Sequence, residues 1–332
     1  MMPEGLGELG QAADVAAAAN SLTRYRAGLS PATLRAHDND LATWARYLEA
    51  RGLEGAQCAW SANAECWAGV SWGLLEAYLT WLTGEGYAPA TQARAIATLR
   101  AYIREAARAG VVPPDALRMI ETVKPPAPRA DRPAPRRGAK KSDPTPLSRA
   151  QGRALKTQPR DTPIGRRDAL LMALLLDLGL RVGEVAALTV ANLNLAEGLL
   201  TFWRPKVQRA QTLALVTVDL AAAAQAYAQD MAPSGPLLRP GRNDGSLGEG
   251  GMSVRAIRLR VGELGERAGV ANLGPHDCRH VWATWALRGG TSLRDLQEAG
   301  GWSSPVMPLR YAAATGIANA RVTLGGDDDE IV

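Results

Sequence analysis

His276-Asp277-Cys278-Arg279-His280 opens a stretch that runs on through Gly300-Gly301-Trp302 and closes on Leu309-Arg310-Tyr311. Pro275 marks the first position of a helix, because its fixed φ suits that position and its missing N–H is not needed there. On that helix His276 and Arg279 lie one turn apart and share a face. Leu293 to Ala299 reads as a second helix, stopped by Gly300-Gly301, so Trp302 follows directly on a break. Histidine exchanges a proton near neutral pH, and arginine offers a planar fork of donors. The indole supplies one further donor. A phenol becomes a nucleophile once its proton, of pKa ~10, is drawn off. Each residue type is common in cores and on surfaces. Their joint order is what points to a site for a phosphate-like oxyanion.

Working upstream, Leu178-Gly179-Leu180-Arg181-Val182-Gly183-Glu184-Val185 places an arginine directly after a glycine break, at the mouth of a short helix from Val182 to Leu188. Glu184 falls about one turn from Arg181 and can brace its guanidinium. Leu199 to Trp203 and Gln211 to Val218 read as two strands, joined by Arg204-Pro205-Lys206-Val207-Gln208-Arg209. The joining segment is a basic hairpin tip. Around these lie predicted helices from Arg166 to Leu178, Ala221 to Gln229 and Ser253 to Ala268.

The chain has 332 residues, a comfortable length for two domains. Its apolar content is dominated by alanine and leucine with a single phenylalanine, which favours helix over strand. The formal charge of +5 is compatible with a nucleic-acid partner without demanding one. Three cysteines without paired spacing argue against a disulfide framework and a cysteine-rich zinc site, and for a reducing, cytoplasmic compartment. No apolar run is long enough to span a bilayer, and residues 1–20 read as a frayed tail, not a secretory signal.

The clearest boundary is residues 124–146, where seven prolines alternate with Arg129, Arg132, Arg136, Arg137, Lys140 and Lys141. Proline excludes a regular helix or central strand, which leaves an extended basic linker: either a solvated spacer or a strap along a phosphate backbone. Before it, residues 21–123 read as a small helical bundle. Ser30-Pro31 starts one helix, Val70 to Thr83 is a second, Ala88 to Gly110 a third, and Pro113-Pro114-Asp115 opens a fourth. Trp44, Trp72 and Trp81 are expected in its core. Arg35 and Arg94 are candidates for a phosphate-facing surface, and His37 reads as incidental.

The ordered set Arg181, Lys206, His276-x-x-Arg279, Trp302 and Tyr311 resembles the tyrosine recombinases, the phage integrase family with its Xer-type enzymes. The resemblance covers most of the chain. It implies a mainly α protein: an N-terminal core-binding, SAM-like bundle, then an α-rich catalytic domain (residues 147–332) with a small antiparallel sheet and the DNA breaking-rejoining enzyme fold. It further implies that Tyr311 attacks a DNA phosphate to form a 3′-phosphotyrosyl link. Arg181, Arg279, His276 and Trp302 would hold the nonbridging oxygens, and Lys206 would protonate the leaving 5′-oxygen. Glu184 would orient Arg181, and His280 would support the site from behind. Neither metal, cofactor nor ATP is implied. The implied partners are double-stranded DNA, further copies of the chain as a tetramer on two sites, and an accessory or partner recombinase. Localisation would be with the nucleoid.

The sequence departs from the family pattern at three places. Lys206 sits in Pro205-Lys206-Val207, where the family carries glycine beside the lysine, so Arg204 and Arg209 stand as rivals for its role and as candidate DNA contacts. Trp302 occupies a position often held by histidine, and Cys278, often leucine, reads as a buried small apolar residue. A type IB topoisomerase-like enzyme and a non-catalytic DNA-binding protein on the same fold remain alternatives.

Overall fold

The computed structural model describes residues 6–53, 56–125, 144–157, 161–205 and 207–313, and the chain divides into two compact units, residues 1–142 and 143–332. The basic arginines and lysines from Arg129 to Lys141, Lys206, and the C-terminal Ile317, Ala320 and Leu324, whose helical spacing suggested a docking patch, lie outside the described residues.

The first unit contains helices α1 (Leu6–Ala19), α2 (Ser21–Ala27), α3 (Pro31–Ala50), α4 (Trp72–Gly84), α5 (Pro89–Arg108) and α6 (Pro114–Thr122). The stretch expected as a tail thus forms α1, with no buried residue. Ser30 caps α3 by accepting from the Thr33 amide at 3.2 Å, with Pro31 at the first helical position. Ser71 caps α4 in the same way. Each cap satisfies an amide that the helix leaves without a partner.

The core of this unit is aromatic. Trp44 meets Tyr78 edge-on at 5.1 Å between ring centroids, and Trp60 meets Trp67 at 5.1 Å. Trp72 is a correction: it is about half exposed, and the deeply buried tryptophans are Trp44, Trp60 and Trp67. The helical stripe suggested Trp72 because it opens α4, but the first turn of that helix projects beyond the bundle. Asp40 is buried, accepting from Arg94 and from the Thr98 hydroxyl at 2.8 Å each.

A second correction concerns the cysteines. Cys58 and Cys66 form a disulfide, their Cα atoms 6.0 Å apart, across the loop between α3 and α4. The loop turns back because Trp60 and Trp67 both enter the core, with the Trp67 indole N–H donating to the Trp60 carbonyl at 3.0 Å. That return brings together two cysteines whose spacing alone did not suggest a pair. Cys278 is fully buried, as expected, and burial pushes its thiol well above the ordinary range.

The second unit carries α7 (Arg149–Thr157), α8 (Pro163–Leu176), α9 (Val182–Ala187), a sheet of β1 (Leu193–Asn194), β2 (Leu199–Arg204) and β3 (Arg209–Ala214), then α10 (Val218–Tyr227), α11 (Val254–Arg267), α12 (Pro275–Arg288), α13 (Leu293–Gly300) and α14 (Val306–Ala313). The sheet is antiparallel in the order β1-β2-β3, with Arg204 opposite Arg209 at the hairpin end. The last strand stops at Ala214, short of the expected Val218. Thr217 instead caps α10 by accepting from the Leu220 amide at 3.1 Å.

α8 is the centre of this unit. Leu170 to Leu176 are all buried, which is how a helix apolar on every side is accommodated. α7, α10 and α12 pack around it. Its one deep carboxylate, Asp168, accepts from Arg167 at 2.8 Å and from two nitrogens of Arg260 on α11, at 2.9 and 2.6 Å. No helix among the described residues is long and apolar enough to cross a membrane.

Two stability measurements follow. Asp168→Ala leaves the buried Arg167 without its counter-charge and Arg260 with Glu263 alone, and is expected to cost about 3–5 kcal/mol in urea unfolding of the second unit's transition. Reducing the Cys58–Cys66 disulfide, or replacing both residues by serine, is expected to cost about 2–3 kcal/mol, the loop-entropy value for so short a ring. Calorimetry with and without dithiothreitol reads it as a lowered melting temperature confined to the first unit.

Candidate active site

The N-terminus of α12 is tied down before it presents any chemistry. Asp277 is buried, accepting from the Gly274 amide at 2.8 Å and the Thr145 amide at 3.1 Å. From there the helix sends its side chains in two directions. His276 is exposed, and its ring meets that of His280 at 5.1 Å, edge to face. Arg279, one turn beyond His276, turns inward and is almost completely buried. The shared face expected of these two is therefore split between surface and interior.

Arg279 donates to two backbone carbonyls, Gly179 and Gly300. The second is one of three consecutive carbonyls at the C-terminal end of α13, and a different guanidinium takes each. Arg204 donates to the Ala299 carbonyl at 2.9 Å, Arg279 to Gly300, and Arg181 to Gly301 at 2.9 Å. Glu184 is buried among them. It accepts from the Arg181 guanidinium at 2.7 Å and from its amide at 2.8 Å, and lies 3.8 Å from Arg204 Nε.

Glycine makes the convergence possible. Gly179 has φ 59°, and a Cβ there would overlap the Trp282 ring. Gly301 also has φ 59°, and its missing Cβ leaves room for the Arg204 guanidinium. Both positions combine a left-handed backbone with a close approach that only glycine admits.

Trp302 lays its ring over the Arg279 guanidinium, 4.3 Å from centroid to carbon, a cation–π contact. Tyr311, on α14, packs its ring against His280 at 4.6 Å and against Trp302 at 5.6 Å, and is buried. His276, His280 and Tyr311 thus form a ladder of rings leading from the surface inward, with Arg279 and Trp302 beside its inner end.

The electrostatics favour an anion. Burial, then repulsion from Arg181, pushes Arg279 down to about 9, with Glu184 opposing. Burial also lowers Arg204, again against the pull of Glu184. His280 is lowered by burial and then by His276, so it is neutral at pH 7. Three guanidiniums facing a single carboxylate are short of negative charge, and an oxyanion would supply it.

Among the candidate DNA contacts, Arg35 and Arg209 are exposed, and Arg94 pairs with Asp40. Arg204 is different: it is wholly buried in the site, not displayed at a hairpin tip. The signal for this was present in the strand. Period-two alternation puts Leu200, Phe202 and Arg204 on one face of β2, and that face is the buried one. The contact of His280 with Tyr311 had no comparable signal, because it depends on how α14 packs on α12.

Residues 147–316 match the phage integrase family, and residues 22–110 match the phage integrase N-terminal SAM-like domain. The tyrosine recombinase XerC of Pelobacter propionicus is 30% identical over 289 residues, 85% of this chain and 85% of that protein. The tyrosine recombinase XerD of Pseudomonas aeruginosa is 27% identical over 301 residues, covering 89% and 90%. In fold, the chain is similar to a lambda integrase (75–356) dimer bound to a COC′ core site, with TM-score 0.60, 15% identity, and 93% and 99% of the two chains covered. It is also similar to the Tn1549 transposon integrase in complex with circular intermediate DNA, with TM-score 0.59, 14% identity, and 90% and 94% covered. Together, the paired domain matches and the tyrosine recombinase relatives establish that the chain belongs to the phage integrase family, as a tyrosine-type site-specific recombinase.

Proposed function

We propose that this protein cleaves and rejoins duplex DNA through Tyr311. The observation that carries the reading is the convergence of Arg181, Arg279, Trp302 and Tyr311 within one unit around the end of α13. The Tyr311 phenol releases its proton to a base as its oxygen attacks the scissile phosphorus, a new P–O bond forms to that oxygen, and the bond to the 5′-oxygen breaks. The leaving oxygen takes a proton from a general acid, the role the family resemblance gives to Lys206. Arg181 and Arg279 meet the charge that grows on the nonbridging oxygens, from positions fixed in advance by backbone carbonyls. Glu184 holds Arg181 in place. His276, at the surface end of the ring ladder, would donate to the same phosphate.

The link to tyrosine keeps the free energy of the phosphodiester, so a 5′-hydroxyl from a second strand reverses the step without ATP. The DNA-bound state of the solved lambda and Tn1549 integrases supports duplex DNA as the partner. Exchange between two duplexes calls for a tetramer across two sites, with a partner recombinase as an alternative composition. The protein would act in the cytoplasm, on the nucleoid.

The decisive assay is incubation with a nicked suicide duplex carrying the target site, in EDTA. Wild type is expected to form a covalent protein–DNA adduct, and Tyr311→Phe none. An undiminished adduct with Tyr311→Phe would overturn the reading, and relaxation of supercoils without strand exchange between two duplexes would favour the topoisomerase-like alternative.

A further inference from the structure

We infer that Arg204 is a positioning residue of this reaction centre: its buried guanidinium braces the carbonyl end of α13 and adds a third positive charge, beside the single carboxylate of Glu184, behind Arg181 and Arg279. The inference rests on the proposed phosphoryl-transfer reading and deepens it.

Three observations carry it. The first is burial without full partnering. Arg204 is 0% exposed, and its Nη2 donates to the Ala299 carbonyl, yet its Nε and Nη1 are buried with no hydrogen-bond partner. Glu184, at 3.8 Å from Nε, is too distant for a hydrogen bond and is already engaged by Arg181. A buried donor left unmatched is costly, so a fold has no reason of its own to keep one.

The second is that the sheet does not need it. The two preceding inward positions on β2 are Leu200 and Phe202, both buried in the apolar core, and the Arg204 guanidinium sits over the Phe202 ring at 5.0 Å. An apolar side chain would continue that face. The third is placement. Arg204 takes the carbonyl next to those taken by Arg279 and Arg181, and fills the space that Gly301 leaves by lacking a Cβ. Its charge is felt at Arg279, and it in turn feels that of Arg181. A charge kept at this point, against burial and against two like charges, is balanced when further negative charge builds on the phosphate in the transition state.

The test separates charge from hydrogen bonding. Arg204→Gln keeps a donor for the Ala299 carbonyl but no charge, Arg204→Lys keeps the charge, and Arg204→Met keeps neither. Adduct formation on the suicide duplex is measured in single turnover at saturating DNA, with duplex affinity and melting temperature measured alongside. Arg204→Gln and Arg204→Met are expected to slow adduct formation roughly a hundredfold, the scale of one lost preorganised charge. Duplex affinity should be unchanged, and the Met variant should melt no lower than wild type, since it removes an incompletely paired buried ion. Arg204→Lys should recover about tenfold or more of the loss, because the charge is what the transition state uses. Lysine performing no better than glutamine, or methionine reacting at the wild-type rate, overturns the inference. A wild type that forms no adduct shows instead that the underlying reading has failed, and the role of Arg204 falls with it.

Discussion

The second unit is organised around a shortage of hydrogen-bond donors at one helix end. An α-helix leaves its last carbonyls without intrahelical partners and carries partial negative charge there. At the end of α13 those carbonyls belong to Ala299, Gly300 and Gly301, and each is taken by an arginine from a different element: β2, α12 and the start of α9. A helix terminus thereby becomes a jig that aligns three guanidiniums drawn from distant parts of the chain. The two glycines and the turn into Trp302 follow from that arrangement, because a side chain at Gly300 would strike the Trp302 ring and one at Gly301 would strike Arg204.

The arrangement opposes stability locally. Burying two like charges, with a third half-buried next to them, beside one carboxylate costs more than the ion pairs return, and the lowered pKa values of Arg279 and Arg204 express that cost. The compensation is elsewhere. The leucine run of α8, buried over its whole circumference, and the Asp168 link to Arg260 hold α8 and α11 rigidly, while α12 packs on α8. The site is strained in charge because the scaffold is not, a division expected where local rules yield to function.

Much of this was legible beforehand, for definite reasons. Arg279 beside His276, Arg181 with Glu184, and Tyr311 after the Gly-Gly turn are matters of spacing, and spacing survives folding. Proline at helix starts, behind Ser30 in one case, marked α3 and α5 to within a few residues because these signals act locally. The inward turn of Arg204 was also encoded, in the alternation of β2, although the hairpin setting drew attention to its charge and not to its register. The Cys58–Cys66 bond, the exposure of Trp72 and the contact between His280 and Tyr311 were not legible. Each depends on how a loop or helix returns against another element, which periodicity does not record.

The burial of Tyr311 bears on the proposed chemistry. A phenol only 1% exposed and enclosed by His280 and Trp302 cannot meet a phosphorus atom on a duplex without some displacement of α14 or of the rings around it. The packing suits this. Tyr311 belongs to a small cluster with Ala283, Leu287 and Leu296, separate from the large core built on α8. Segments with few apolar contacts open at a fraction of the global unfolding free energy. The guanidiniums, in contrast, are fixed to backbone carbonyls and have no comparable freedom. On the proposed chemistry the arginines would be the rigid half of the site and Tyr311 the movable half, so that DNA would be held before the tyrosine is brought into line.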